Sequence, residues 1–152
     1  MSVAASVRPL RPDDHRAWAV LWDGYLRFYR EELTPEVTAD TFRRLCAGTA
    51  GVFALVACDA DDRPIGLAHA IVHPSTWSPG GYCYLEDLFV DPAARGGDVG
   101  RLLVDAVAAE AAARGTTKLY WQTQAFNGRA RSLYDQVGTL SSAVVYERDP
   151  AT

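Results

Sequence analysis

The chain has 152 residues, of which 49% are hydrophobic, so it can bury one sizeable core and we expect a single domain over residues 1–152. Its formal net charge of -4 excludes the strongly basic surface that nucleic acid or an anionic membrane would require. A small cationic molecule suits this charge balance better.

The three cysteines, Cys46, Cys58 and Cys83, form an odd set without a CxxC spacing. This pattern predicts reduced thiols in an intracellular protein and implies no metal site. The N-terminal residues do not show a charged leader followed by an apolar core, and 18 apolar residues never run uninterrupted. We therefore expect a soluble cytoplasmic protein with no membrane or nucleic-acid partner.

The N-terminal third of the chain predicts a strand and two helices. Residues 3–9 form the strand, and Pro12, followed by two aspartates, opens the first helix. One face of this helix is marked by residues that recur every three or four positions, namely Trp18, Leu21, Trp22, Tyr25, Phe28 and Tyr29. Thr34 and Pro35 begin the second helix, which buries Phe42 and Leu45 and ends at Gly48.

The rest of the chain alternates strands and helices. Residues 52–58 and 65–73 predict an antiparallel pair around the turn sequence DADDRP, and residues 82–90 predict a further strand. A helix then runs to Gly115 with one apolar face, formed by Val99, Leu102, Leu103, Ala106 and Val107. A strand at 117–123, a helix capped by Asn127 and ended by Gly138, and a final strand at 143–147 complete the order β-α-α-β-β-β-α-β-α-β. This order predicts an α/β fold with one mixed sheet and helices on both faces.

The sequence RGGDVGR, residues 95–101, lies between a predicted strand and a predicted helix. Backbone N–H groups in such a turn, together with the positive end of the helix dipole, bind phosphate groups. The glycine spacing matches neither the dinucleotide-binding fingerprint nor the P-loop. Taken alone, a turn that needs glycine only for tight packing explains the segment equally well.

Two longer segments distinguish between phosphate binding and a purely structural turn. LEDLFVDPAARGGDVGRLLVDAV and WQTQAFNGRARSLYDQVG resemble the two acetyl-CoA-binding segments of the GNAT superfamily of N-acetyltransferases. The LEDLFV run, combined with Asn127 and the following AR and LY pairs, is similar to the diamine and spermidine/spermine acetyltransferase branch. The resemblance implies a GNAT fold with a central, mixed, mostly antiparallel twisted sheet of six to seven strands and four helices on both faces. It also implies a homodimer that uses acetyl-CoA as cosubstrate and no metal.

The resemblance assigns acetyl-CoA binding to eleven positions: Leu88, Val90, Arg95, Gly96, Gly97, Asp98, Val99, Gly100, Arg101, Asn127 and Tyr134. Asp98 stands where the family has a glycine. Its carboxylate could cap the following helix and compete with phosphate for the same amides, or it could point to solvent and only weaken binding.

An aliphatic amine with a pKa near 10.4 reaches the enzyme protonated, so its acetylation needs a base. Simple strand alternation places Tyr82, Tyr84, Glu86 and Leu88 on one face and Cys83, Leu85, Asp87 and Phe89 on the other. Only one of the two adjacent carboxylates should then face the site. The resemblance implies that Glu86 is the base, acting directly or through a water, with Asp87 as the reserve candidate. Pairing of both acids with arginine or lysine across the sheet is the alternative.

The resemblance also implies that the backbone N–H of Leu88 stabilises the oxyanion and that Tyr134 protonates the CoA thiolate. Tyr134 could instead be a core residue. Acceptor binding is assigned to Tyr25, Tyr29 and Glu31 at the end of the first helix, together with Glu86 and Asp87. A plain solvated helix end explains the first three equally well. We interpret Cys83, His69 and His73 as structural.

These observations predict direct transfer of acetyl from acetyl-CoA to a primary amine of a polyamine, a diamine or a lysine-like small molecule. One alternative is a protein lysine or N-terminal acetyltransferase. The other is a non-catalytic acyl-CoA-binding sensor module.

Overall fold

The computed structural model describes residues 4–152, so that Val3, at the start of the first predicted strand, lies outside the described residues. These residues group into two compact units, one ending at Gln122 and the other spanning Thr123–Thr152. The expectation of a single domain over residues 1–152 stays a prediction.

Five strands form the mixed sheet of the first unit in the order β1-β2-β3-β4-β5. The first four are antiparallel neighbours, and β5 runs parallel to β4. Their bounds are β1 Ser6–Pro9, β2 Val52–Cys58, β3 Pro64–Ser75, β4 Ser78–Val90 and β5 Leu119–Trp121. The predicted antiparallel pairing of β2 with β3 is confirmed.

The described residues form four α-helices: α1 His15–Phe28, α2 Pro35–Ala47, α3 Val99–Ala113 and α4 Gly128–Val137. A 3-10 turn at Pro12–Asp14 leads into α1, as the Pro-Asp-Asp sequence predicts. Thr34 caps α2 by accepting a hydrogen bond from the N–H of Val37, and Gly48 ends α2 with a φ of 69°. Among the helices of residues 4–152, none has the length and apolar content that crossing a membrane would require.

The prediction of six to seven strands is wrong, because the described sheet has five. The predicted strand at residues 143–147 is the one missing. Val144, Val145 and Tyr146 have β-forming side chains, but all three are exposed and residues 143–147 form no strand. A strand exists only where a neighbouring strand satisfies its backbone groups, and sequence preference alone does not supply that neighbour.

Helices cover both faces of the sheet in the first unit. On one face, Trp18, Leu21 and Trp22 of α1 pack with Leu45 of α2 against apolar strand residues that include Leu67. On the other face, α3 approaches Gly66 so closely that an added Cβ would lie 3.1 Å from Leu103 Cδ1. Since Gly66 and Leu67 are adjacent in β3, their opposite directions define an α1 face and an α3 face of the sheet.

Two apolar residues do not lie where periodicity predicts. Phe28, at the end of the α1 stripe, is 54% exposed, and Leu102 of α3 is 37% exposed. The buried side of α3 consists of Val99, Leu103, Val104, Val107 and Ala111. In α1 and in α3, therefore, one residue of the predicted apolar face is exposed to solvent.

Candidate active site

A β-bulge lies at Glu86. His69 of β3 pairs with Asp87 of β4, and the next residue, Ala70, pairs with Leu85. Glu86 is therefore an extra residue in β4 without a partner position in β3. A bulge of this kind bends the strand and reverses the side-chain alternation beyond it.

This bulge makes the predicted division of β4 into two faces wrong. Asp87 and Phe89 lie opposite His69 and Leu67, so they share the α1 face with Tyr82 and Tyr84. Leu88 lies opposite Ala68 and shares the α3 face. The charges of both Glu86 and Asp87 contribute to raising the pKa of the Tyr25 and Tyr84 hydroxyls. The expectation that only one of the two carboxylates faces the site stays a prediction.

Asp87 is held by a donor from the neighbouring strand. Its Oδ2 lies 3.0 Å from Nδ1 of the buried His69. Burial and the charge of Asp87 raise the pKa of Tyr25, so Tyr25 remains a donor at neutral pH. Asp87 is thus paired with a histidine, and not with the arginine or lysine that the alternative interpretation expects.

Trp18 fixes the tautomer of His69. The indole Nε1–H, which can only donate, lies 3.0 Å from His69 Nε2, so Nε2 accepts and Nδ1 carries the ring hydrogen. Nδ1–H then donates to Asp87 Oδ2. The chain from Trp18 through His69 to Asp87 crosses the core from α1 to β4 and sets the orientation of the Asp87 carboxylate.

Glu86 is exposed but has the electrostatic setting of a base. Partial desolvation, followed by the charge of Asp87, raises the pKa of the Glu86 carboxyl, while the charge of Arg44 opposes that rise. A carboxylate with a raised pKa takes up a proton more readily than an ordinary surface glutamate does. The role of Glu86 as the base stays a prediction.

The backbone of Leu88 and Val90 is directed away from β3. Asp91 N–H donates to Ile65 of β3, so in an alternating strand the N–H groups of Leu88 and Val90 point to the opposite edge of β4. Pairing of β4 with β5 extends only from Cys83–Leu119 to Leu85–Trp121. The two strands part beyond Leu85, and there the β4 edge presents backbone groups that a bound ligand could use.

The turn at residues 95–101 leads into α3. Arg95 Nε donates to the carbonyl of Val90 at 3.0 Å, and its guanidinium lies 5.2 Å from the centre of the Phe89 ring. Gly96, and not Gly97, has the left-handed conformation, with a φ of 90° and open space where a Cβ would lie. Arg95 thereby ties the start of the turn to the end of β4.

Asp98 occupies the N-cap position of α3, but its side chain makes no capping hydrogen bond. Its backbone carbonyl accepts from Leu102, and the residue is exposed. The structure agrees with the second alternative for Asp98, in which the carboxylate points to solvent. Val99, Gly100 and Arg101 form the first turn of α3, which carries the positive end of the helix dipole.

The five predicted acceptor-binding residues separate into two places. The charges of Asp87 and Glu86 contribute to raising the pKa of Tyr25. Tyr29 packs against Tyr25 with ring centres 4.8 Å apart. Glu31 instead lines a groove of about 750 Å³ between α1 and α2, whose other lining residues are Ala19, Trp22, Asp23, Leu26, Arg27, Arg30, Glu32, Leu33, Pro35 and Thr38. Among the described residues, the groove lining includes none of Tyr25, Tyr29, Glu86 and Asp87.

The second unit contains Asn127 and Tyr134, the remaining two residues that were predicted to bind acetyl-CoA. Asn127 caps α4, where its Oδ1 accepts from the N–H of Ala130 at 3.4 Å and its Nδ2 donates to Thr123. Tyr134 is half-buried and lies seven residues beyond Asn127, two helical turns along the same side of α4. The predicted cap is confirmed, and the catalytic role of Tyr134 stays a prediction.

Two features of this sheet face are not predicted by the sequence. They are the hydrogen bond from Trp18 to His69 and an aromatic cluster at the far end of the same face. Tyr84 of β4 stacks on Tyr120 of β5 with ring centres 4.9 Å apart. The sequence does contain a signal for these features. His69 and His73 in β3, and Tyr82 and Tyr84 in β4, are separated by even numbers of residues, which places each pair on one face.

The cysteines and possible metal ligands add no further chemistry to this site. Cys46, Cys58 and Cys83 are free, and burial raises the pKa of each thiol. Over residues 4–152, His, Cys, Asp and Glu side chains nowhere form a group of three that could hold a metal ion.

A family model described as Acetyltransferase (GNAT) family matches residues 17–139, most of the chain. The chain belongs to the GNAT acetyltransferase family. It is 35% identical over 144 residues to the D-amino-acid N-acetyltransferase HPA3 of Saccharomyces cerevisiae, an alignment that covers 94% of this chain and 89% of the yeast protein. The protein is therefore an acyltransferase.

Solved structures share the fold of this acetyltransferase. AAC(6')-Iy in complex with the bisubstrate analogue CoA-S-monomethyl-acetylneamine superposes with a TM-score of 0.82 at 17% identity, over 96% of this chain and 98% of that one. A ribosomal-protein-alanine N-acetyltransferase from Brucella melitensis biovar Abortus 2308 gives 0.81 at 20% identity, over 96% and 99%. At these identities the similarity shows a shared fold. It does not assign the acceptors of those enzymes to this protein.

Proposed function

We propose that this acetyltransferase transfers acetyl from acetyl-CoA directly to the primary amine of a small molecule, with Glu86 as the base. The observation that carries the proposal is the bulge, which places Glu86 beside the fixed Asp87 carboxylate and next to the edge where β4 and β5 part. Acetyl-CoA supplies an activated thioester. The contributions of this chain are to bind it, to orient the amine and to remove its proton.

The residues near the end of β4 fit the donor. Leu88 and Val90 direct N–H groups into the opening between β4 and β5, where an extended chain carrying amides could hydrogen-bond to them. The turn at 95–101 and the first amides of α3 follow directly and suit a pyrophosphate. Asn127 and Tyr134 are proposed to contact the same molecule near its thiol.

Each catalytic role follows from the chemistry of its group. Glu86 would take the ammonium proton, directly or through water, and the Leu88 N–H would donate to the carbonyl oxygen as it becomes negatively charged. Tyr134 would give a proton to the departing thiolate. Asp87 would remain an acceptor for His69, contributing a fixed negative charge that attracts a cationic acceptor.

Two acceptor classes have specific support for this site. The resemblance of the LEDLFV segment favours a polyamine, diamine or lysine-like amine, which the acidic and aromatic side chains around Glu86 could hold. The 35% identity to a D-amino-acid N-acetyltransferase favours the α-amine of an amino acid. On the family resemblance we also propose a homodimer in the cytoplasm.

The test is release of free CoA from acetyl-CoA in the presence of spermidine, putrescine, lysine, several D-amino acids and a lysine-containing peptide. We expect amine-dependent release from the wild type and a loss of about a hundredfold or more in Glu86→Gln. The matched control is Glu36→Gln on the exposed side of α2, which should keep full activity. Silence with every amine, or full activity of Glu86→Gln, would overturn the proposal.

A further inference from the structure

An aromatic cluster, defined as His73, Tyr82, Tyr84 and Tyr120, occupies the α1 face of the sheet beyond the acidic residues. Tyr82 lies opposite His73 in the β3–β4 register, and Tyr84 lies opposite Tyr120 in the β4–β5 register. Since His73 follows His69 by four residues in β3, both point to the α1 face. The four rings are half-buried, so part of each remains accessible.

Contacts within the cluster hold Tyr120 in one orientation. Its ring stacks on Tyr84 with centres 4.9 Å apart and planes 27° apart. Its hydroxyl lies 2.7 Å from His73 Nε2, while His73 Nδ1 lies 2.8 Å from the carbonyl of Pro74. Because that carbonyl can only accept, Nδ1 carries the hydrogen of the neutral ring and Tyr120 donates to Nε2.

The stacked pair lies close to the proposed base. Tyr84 precedes Glu86 by two residues, a distance of roughly 7 Å along a strand. The charges of Glu86 and Asp87 also contribute to raising the pKa of the Tyr84 hydroxyl, after burial. An amine whose nitrogen meets Glu86 would therefore extend its side chain over Tyr84 and Tyr120.

Lys118 determines which side chains fit. Its Nζ lies 5.0 Å from the centre of the Tyr82 ring and 5.7 Å from that of Tyr120, so a cation already occupies the attractive position for positive charge on these rings. A second ammonium group on the acceptor would meet a like charge there. An uncharged apolar or aromatic side chain meets no such repulsion and can pack on the stacked rings.

We propose, on the basis of the function proposed above, that Tyr84 and Tyr120 form a subsite for an apolar, preferably aromatic, side chain of the acceptor amine. The preferred acceptors are then amines and amino acids with such side chains, and not polyamines. Tyr120 makes the specific contact, its stacking on Tyr84 holds the ring in place, and Lys118 disfavours acceptors that carry a second positive charge.

The experiment compares acceptors that differ only by a phenyl ring. Values of kcat/KM are measured for D-phenylalanine against D-alanine, 2-phenylethylamine against ethylamine, and spermidine. We expect the wild type to prefer the phenyl member of each pair by about tenfold and to use spermidine least well. In Tyr120→Ala this preference should disappear, whereas Tyr120→Phe should keep it because the ring remains. Tyr146→Ala, an exposed tyrosine outside the cluster, is the control.

A second variant tests the charge argument without disturbing the packed rings. Lys118 is exposed, and Lys118→Glu should raise kcat/KM for spermidine several-fold while leaving the phenyl preference in place. Better use of spermidine than of D-phenylalanine by the wild type would overturn the subsite. So would an equal loss for both members of each pair in a folded Tyr120→Ala. Inactivity toward every amine would instead contradict the underlying proposed function.

Discussion

Nδ1 of His69 lies 3.0 Å from Oδ2 of Asp87, across the β3–β4 pair and directly beside the bulge at Glu86. Since Trp18 donates to the other ring nitrogen, His69 can only donate to Asp87. Asp87 is therefore committed to accepting hydrogen bonds, while the neighbouring Glu86 is exposed. Two adjacent carboxylates therefore have different surroundings, because one accepts a hydrogen bond from the core and the other lies in a bulge.

Asp87→Asn should lower the pKa of Glu86. The negative charge of Asp87 is the second cause of the raised pKa, after desolvation, so its removal reverses part of the rise. The asparagine oxygen can still accept from His69, which preserves the local geometry. Because a base works in its deprotonated form, the acid limb of kcat/KM should move to lower pH. The measurement is the pH titration of the Glu86 carboxyl by carbon NMR, together with the pH–rate profile for one fixed acceptor.

Asp105→Asn provides the control for this titration. Asp105 is an exposed residue of α3, and its substitution removes the same charge from the chain without touching the site. The Glu86 pKa should be unchanged in this variant. A Glu86 pKa that stays constant, or rises, in Asp87→Asn would contradict the role given to the Asp87 charge.

Asp98→Asn should tighten the binding of CoA by about two- to fivefold, the range expected for one exposed charge at a helix N-terminus. The Asp98 side chain makes no capping bond, so its effect on a bound pyrophosphate is repulsion between like charges. Calorimetry at low and at high salt measures the gain, which should shrink as salt screens the charges. A gain that is independent of salt would point to backbone conformation as the cause.

Tyr134→Phe should lower kcat by at least about tenfold while leaving the affinity for CoA nearly unchanged, because only the transferable proton is removed. Tyr134 is half-buried on α4, where the ring can remain packed when the hydroxyl is lost. Steady-state rates and calorimetry separate the two effects. Tyr146→Phe should match the wild type in both measurements, and an unchanged kcat in Tyr134→Phe would remove this residue from the reaction.

Local signals in the sequence were sufficient for the helix ends. Thr34, Gly48 and Asn127 lie at the predicted caps, because capping depends on a residue and its immediate neighbours in the chain. The antiparallel pairing of β2 with β3 was predictable for the same reason, since a short polar turn joins two β-rich runs.

Features that depend on a partner strand were not predictable in this way. The bulge at Glu86 exists only in the register of β4 against β3, and strand alternation without it put Asp87 and Leu88 on the wrong faces. Residues 143–147 have strand-forming side chains but no strand in the described chain, for want of a pairing neighbour. The role of the two carboxylates could therefore be proposed from sequence, whereas their arrangement required the structure.

Asp14→Asn should destabilise the fold by about 2 kcal/mol at neutral pH, since Asp14 is a buried carboxylate whose hydrogen bonds are charge-assisted. Arg8 binds both of its oxygens, at 2.8 and 2.9 Å, and the N–H of Arg11 donates to it at 2.7 Å. The Arg8 guanidinium holds the pKa of Asp14 below its usual value, so the stabilisation is complete above the unfolded pKa of about 4 and is lost as the pH falls through the lowered folded value. Urea unfolding from neutral pH down to about pH 3 should show the wild-type advantage over Asp14→Asn shrinking with acid. Glu110→Gln, which breaks an exposed i,i+4 pair with Arg114, should change stability little at any pH, and an Asp14 effect that is constant with pH would rule out the ion pair as its source.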